Sequence, residues 1–152
     1  MVALKVLHKS MVSDQKFVER FIQEARAAGK LNHPNVIQVH DVGQQGDIHY
    51  FSMEYVSGTT LREMIISSEE IPLDKLLDIA CQALKALEYA HDNQLVHRDI
   101  KPDNIMVGED GFVKIGDLGL AKWTSKNSDN HVTVAGNALG TPHYVSPEQI
   151  RG

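Results

Sequence analysis

One long helix sets the terms for this chain. Leu73, Leu76, Leu77, Ala80, Leu84 and Leu87 recur at helical spacing within residues 73–91, and a stripe sustained over that many turns must be buried against something apolar. Cys81 lies beside the stripe and reads as a small core residue, not a nucleophile. The helix delivers the chain to Leu95-Val96 and then to His97-Arg98-Asp99-Ile100-Lys101-Pro102-Asp103-Asn104. Pro102 opposes helical continuation there, so a carboxylate, an ammonium and a carboxamide crowd onto a short irregular segment. A solvated polar turn has the same composition, so the meaning of the segment depends on what the rest of the chain brings to it.

Upstream, Val2-Ala3-Leu4-Lys5-Val6-Leu7 alternates and is rich in strand formers, which puts Ala3 and Lys5 on one face of a strand. Residues 13–31 predict a helix with Ser13 as N-cap and Asp14 in its first turn. Phe17, Phe21 and Ala28 share a face of that helix with Glu24. A carboxylate in an apolar stripe is costly without a cation, so Glu24 calls for a partner. Asn32-His33-Pro34-Asn35 closes the helix. Strands are expected near 36–42 and 47–55, joined around Gln44-Gln45-Gly46, and a short helix near 60–67. The composition shifts at Ser57-Gly58, so the expected organisation is 1–56 as one part, mostly strand, and 57–152 as a second, mostly helical part.

After Asn104, Ile105-Met106-Val107 and Phe112-Val113-Lys114-Ile115 flank Gly108-Glu109-Asp110-Gly111, which predicts a hairpin. It ends at Asp117-Leu118-Gly119. Asn104 and Asp117 thus sit at opposite ends of one hairpin and can converge as a hard-oxygen pair suited to Mg²⁺.

The bulk properties exclude several classes. Fifteen Lys and Arg against 20 Asp and Glu give a net charge of −5, which gives no support to a nucleic-acid-binding surface. No run of eighteen apolar residues and no basic-then-apolar leader is present, so neither a membrane span nor export is expected. The single cysteine cannot form an internal disulfide, which fits a reducing, cytoplasmic setting. Eight histidines are scattered without metal-ligand spacing and read as ordinary core and surface residues.

With these residues in order, the chain resembles a protein kinase domain of the serine/threonine type over essentially its whole length. Val2-Ala3-Leu4-Lys5 resembles the strand carrying the phosphate-binding lysine, and Glu24 the helix acid that pairs with it. His97-Arg98-Asp99 with Asn104 resembles the catalytic loop, and Asp117-Leu118-Gly119 the metal motif. Gly140-Thr141-Pro142-His143-Tyr144-Val145-Ser146-Pro147-Glu148 resembles the substrate-binding loop. The resemblance implies an α+β, two-lobed fold and transfer of the γ-phosphate of ATP, with Mg²⁺ or Mn²⁺, to a Ser or Thr hydroxyl of a protein substrate. It implies Asp99 as the residue accepting or orienting the hydroxyl proton and Lys101 as a charge over the γ-phosphate. Asn104 and Asp117 would be the metal ligands, with Lys5 on the α- and β-phosphates. Glu54 and Val56 would lie at the adenine hinge behind Met53, and Ala3 and Met106 would face the adenine ring.

Leu118 replaces the usual phenylalanine and is expected to pack on His97, and Ser146 replaces an alanine. The Gly140–Gly152 wording resembles bacterial members. Arg98 beside Asp99 implies control by phosphorylation of the 122–139 loop, with Thr124, Ser125, Ser128 and Thr133 as candidates and Thr133 preferred. A glycine-rich loop ahead of Lys5 and the helices following Gly152 are expected features of the family that this stretch lacks, which would leave the 73–91 stripe partly open. The alternative reading is a truncated, non-catalytic module of the same fold that binds a partner or nucleotide. A small-molecule kinase is disfavoured by the peptide-gripping look of Gly140–Glu148.

Overall fold

The computed structural model describes residues 1–67, 70–117 and 144–151. β1 (Val2–Val6) pairs antiparallel with β3 (Ile48–Glu54), which pairs with β2 (Val39–Gln45), giving the order β1-β3-β2. Ala3 faces Met53 and Lys5 faces Phe51 across the β1–β3 ladder. Ala3 and Lys5 are half-buried while Val2, Leu4 and Val6 are exposed, as period-two alternation requires. The hairpin turn falls at Gly46-Asp47, where Gly46 takes φ +57, a conformation that costs little without a side chain. The first of these strands begins at Val39, later than expected. Residues 36–37 pair elsewhere: Val36 bridges to Ile115 and Ile37 N donates to Ile115 O at 2.9 Å.

The helix expected over 13–31 is present over Gln15–Ala28, with its cap one residue later than Ser13 and a separate short helix ahead of it. α1 (Lys9–Val12) ends at Ser13, and α2 (Gln15–Ala28) is capped by Asp14, whose Oδ1 accepts from Lys16 N at 2.9 Å. The buried face of α2 is Val18, Phe21, Ala25 and Ala28, while Phe17 is 45% exposed. The stripe is rotated from the expected one because this helix rests on Leu7 and Phe51 of the sheet side. The Phe21 and Phe51 rings meet at 5.2 Å, and Ala25 admits the close approach. Glu24 is left half-buried at the margin.

The leucine stripe expected to lie partly open does so on α4 (Leu73–Asp92). This helix buries Ile79, Ala83, Ala86 and Ala90, whereas Leu77 and Leu84 are 57% and 63% exposed and Leu73, Leu76, Ala80 and Cys81 are also exposed. The small side chains of Ala83, Ala86 and Ala90 pack α4 against Leu31, Val36, Leu95 and Ile115. Of the leucine stripe, only Leu87 touches this core.

A second sheet, ordered β4-β5-β6, comprises β4 (Gly58–Thr60), β5 (Ile105–Gly108) and β6 (Val113–Ile115). Ile105, Val107 and Val113 pack with Ile79 of α4 and with Leu61 and Met64 of α3 (Leu61–Ile66). Met106 and Lys114 are directly paired and alternate onto the opposite face. Gly58 lies across from Gly108, and a Cβ at Gly58 would sit 2.2 Å from Val107 O, so only glycine fits. A capping box starts α3, with Thr60 Oγ1 accepting from Glu63 N and Glu63 Oε2 accepting from Thr60 N.

Asn35 joins the parts. It is 5% exposed, and its Nδ2 donates to Val113 O at 2.8 Å and to Gln82 Oε1 at 2.9 Å, while Gln82 Oε1 also accepts from Val113 N. Asn35→Ala strands a buried carbonyl, so the free energy of urea unfolding should fall by about 1–3 kcal/mol. Because Gln82 shares the network, the double change with Gln82→Leu should cost less than the two single losses added; strict additivity would contradict the network.

Candidate active site

Pro102–Asn104 forms one 3-10 turn between the irregular segment and β5. The turn buries Asn104, whose Nδ2 donates to Asp99 O at 2.8 Å and to Asp99 Oδ2 at 3.2 Å. Lys101 Nζ lies 2.9 Å from the same Oδ2. This hydrogen bond holds the Lys101 ammonium above its usual range, outweighing its modest desolvation. Three residues that the sequence placed within six positions are thus in direct contact, with the Asp99 carboxylate at the centre.

His97 supports this arrangement from beneath. Its ring is 1% exposed, its Nε2 donates to Gly116 O at 2.9 Å, and its Nδ1 accepts from Asp99 N at 3.3 Å. Those partners require the neutral tautomer with the proton on Nε2. Burial pushes the imidazole pKa down, against the pull of the Gly116 carbonyl and the nearby Asp99 and Asp117 charges, so the tautomer and the titration agree. Gly116 N in turn donates to Asn104 O at 3.0 Å. The two hairpin ends therefore converge as expected, and Asp117 follows immediately with φ +57.

Lys5 does not pair with Glu24. Its Nζ sits 2.5 Å from Asp117 Oδ1, and among the described residues no ion pair of Glu24 is formed. The reason is local. β1 aims Lys5 at the end of the β5–β6 hairpin, where Asp117 stands, whereas Glu24 is embedded beside Ala25 and Ala28 along a cavity of about 20 Å³ that Met53, Ile115 and Asp117 also line. Burial raises the Glu24 pKa to about 7, against the opposing charges of Arg20 and Lys5, so the neutral acid tolerates the apolar margin that called for a cation.

Of the residues expected around a flat ring, Ala3 lies on β1, Met53 and Glu54 on β3, Val56 just after it, and Met106 on β5. Sequence reasoning missed a tie here. Lys114 Nζ lies 2.8 Å from Glu54 Oε2, joining the second sheet to the first. Only the outward alternation of Lys114 in its strand hinted at it. Gln149 was also missed: on α5 (Pro147–Arg151) its Nε2 donates to Arg98 O at 2.6 Å. Glu148 is exposed on the same helix, and its carboxyl is held below the usual range by hydrogen bonds from its own backbone and the Ser146 hydroxyl. Leu118, Thr133 and Thr141 lie outside the described residues.

The donor set suits a hard divalent cation. Both hydrogen bonds of the Asn104 side chain run through Nδ2, leaving Oδ1 as an oxygen donor, and the Asp117 carboxylate adds a second hard ligand. Mg²⁺ takes few protein oxygens and fills the remainder with water and phosphate. Among the described residues no cluster of three or more His, Cys, Asp or Glu stands ready to hold a metal alone.

The raised Glu24 pKa has a definite sign. The folded state binds this proton more tightly than the unfolded chain, so the stabilisation is complete below about 4.5 and is lost as pH rises towards about 7. Glu24→Gln should match the parent chain in thermal stability near pH 4 and exceed it at pH 8, as read by Tm across pH. Equal Tm values at pH 8 would refute the burial account.

The protein kinase domain family matches residues 1–152 of this chain. A probable serine/threonine-protein kinase of Clostridium acetobutylicum is 42% identical across 99% of the chain, which covers 22% of that protein. The serine/threonine-protein kinase PrkC of Bacillus subtilis is 42% identical over 99% of the chain and 23% of its own length. Among solved structures, the kinase domain of Mycobacterium tuberculosis PknI superposes with TM-score 0.68 at 34% identity, over 80% of this chain and 50% of that one. Rad53 residues 1–466, solved in complex with AMP-PNP, gives TM-score 0.74 at 31% identity, over 99% of this chain and 35% of that one. The chain thus spans about a quarter of the curated relatives and about half of the PknI kinase domain. On these matches this chain belongs to the protein kinase family and is a bacterial serine/threonine-type kinase domain with a partial two-lobed α+β fold.

Proposed function

We propose that this domain transfers the γ-phosphate of ATP to a serine or threonine hydroxyl of a protein substrate. The observation that carries the reading is the Asp99 carboxylate held between Asn104 Nδ2 and the Lys101 ammonium, at 3.2 and 2.9 Å. Phosphoryl transfer demands positioning and charge neutralisation more than covalent catalysis. Asp99 accepts the proton of the attacking hydroxyl as its oxygen bonds to the γ-phosphorus and the bond to the β-phosphate oxygen breaks, releasing ADP. Lys101 balances the charge on the transferring group. Lys5 exchanges its hold on Asp117 for the α- and β-phosphates. Asn104 Oδ1 and Asp117 would hold Mg²⁺, which supplies charge neutralisation on the phosphate oxygens. Ala3, Met106 and Met53 face the adenine, and the backbone at Glu54 and Val56 bonds its edge. Thr141 and Glu148 belong to the loop that grips the substrate peptide, and a cytoplasmic setting, where ATP is supplied, goes with this reading.

A second reading has one observation in its favour. Lys5 is engaged by Asp117, and Glu24 forms no ion pair among the described residues, an arrangement suited to a module that binds nucleotide without turnover. Transfer of labelled γ-phosphate to a generic protein substrate, by residues 1–152 and by the same residues with native flanking sequence, separates the two. Asp99→Asn should lower kcat by about 10²-fold or more, with phosphoserine or phosphothreonine as product. Nucleotide binding without transfer in both proteins would establish the second reading. Thr133→Ala should slow autoactivation and remove one phosphopeptide; an unchanged rate and map would exclude Thr133 as the control site.

A further inference from the structure

The peptide unit joining Arg98 to Asp99 is held at both ends. Its N–H, belonging to Asp99, donates to His97 Nδ1 at 3.3 Å, and its carbonyl, belonging to Arg98, accepts from Gln149 Nε2 at 2.6 Å. The Gln149 carboxamide fits in one orientation only, because its Oε1 accepts from Ser146 N at 3.1 Å. A carbonyl can only accept and a backbone N–H can only donate. Arg98 takes φ 63, a left-handed conformation that disfavours a residue with a β-carbon. Such a conformation persists where its surroundings over-determine it. The peptide before Asp99 therefore takes one hydrogen bond from within the segment and one from a helix about fifty residues away in sequence.

We infer that Gln149 is a positioning residue for Asp99: by fixing the Arg98–Asp99 peptide plane it sets the direction in which the Asp99 side chain leaves the backbone. The inference rests on the proposed role of Asp99 as proton acceptor. It also ties the end of the substrate-loop sequence to the catalytic turn, since the same carboxamide caps the backbone at Ser146. Displacement of α5 rotates the peptide plane, and with it the carboxylate.

Two substitutions separate the clamp from the cap. Gln149→Glu keeps an acceptor for Ser146 N, a good capping-box side chain, but cannot donate to the Arg98 carbonyl. Gln149→Lys keeps a donor for that carbonyl and gives up the cap. Gln149 is exposed, so both variants should fold. The readouts are hydrogen exchange of the segment containing the Asp99 amide, and kcat and KM for ATP. Loss of one hydrogen bond predicts about tenfold faster exchange and about tenfold lower kcat in Gln149→Glu, with KM for ATP unchanged. Gln149→Lys should stay near the parent in both. Parent-like exchange and kcat in Gln149→Glu would overturn the inference, as would equal losses in the two variants, which indicate a helix-cap role only. If the parent transfers no phosphate, the kinase reading fails alone, and the exchange comparison still decides the clamp.

Discussion

The buried imidazole of His97 is the contact on which the site depends. One neutral ring links Gly116 O at the end of the hairpin to Asp99 N in the turn that carries Lys101 and Asn104, and the adjoining Gly116–Asn104 backbone bond completes the closure. Protonation would convert Nδ1 from acceptor to donor and abolish the support for Asp99. Burial opposes that protonation, so the environment that makes His97 a core residue also preserves its tautomer. Asp99, Asn104 and Asp117 take their relative positions from this closure.

Around it, charge is distributed by packing. Lys5 reaches Asp117, Lys114 reaches Glu54, and Lys101 reaches Asp99. Two of these pairs span the two sheets, so the gap between them is bridged electrostatically as well as by the Asn35 network. Glu24 is the exception. Its half-buried place on α2 favours the neutral form, and the cation it called for in sequence is committed elsewhere.

Much of this was legible in the residues. Alternation placed Ala3 and Lys5 on one strand face, the Gly/Asp turn placed the hairpin, and Pro102 marked the irregular segment before it. The misreadings share one cause, that periodicity identifies a helix without identifying its partner. Phe17 and Phe21 read as one stripe, yet the sheet beneath α2 takes Val18 and Phe21. In α4 periodicity marked the leucine stripe, which lies largely open as expected, but not the second face of Ala83, Ala86 and Ala90 that meets the core. Cys81 followed the leucines outward. The α2 cap moved from Ser13 to Asp14 because α1 uses Ser13 as its own end.

By itself the sequence determined the chemical inventory and its local geometry: Asp99, Lys101 and Asn104 on one proline-marked turn, Asp117 one hairpin away, and Lys5 on a half-buried strand. These are short-range facts, set by backbone stereochemistry and side-chain alternation. Only the tertiary structure decided which charges meet, which helix faces are buried, and that Gln149 grips the Arg98 carbonyl from outside the turn. Those outcomes depend on distances between elements far apart in the chain. There, backbone approach and desolvation select among partners that the sequence leaves equally available.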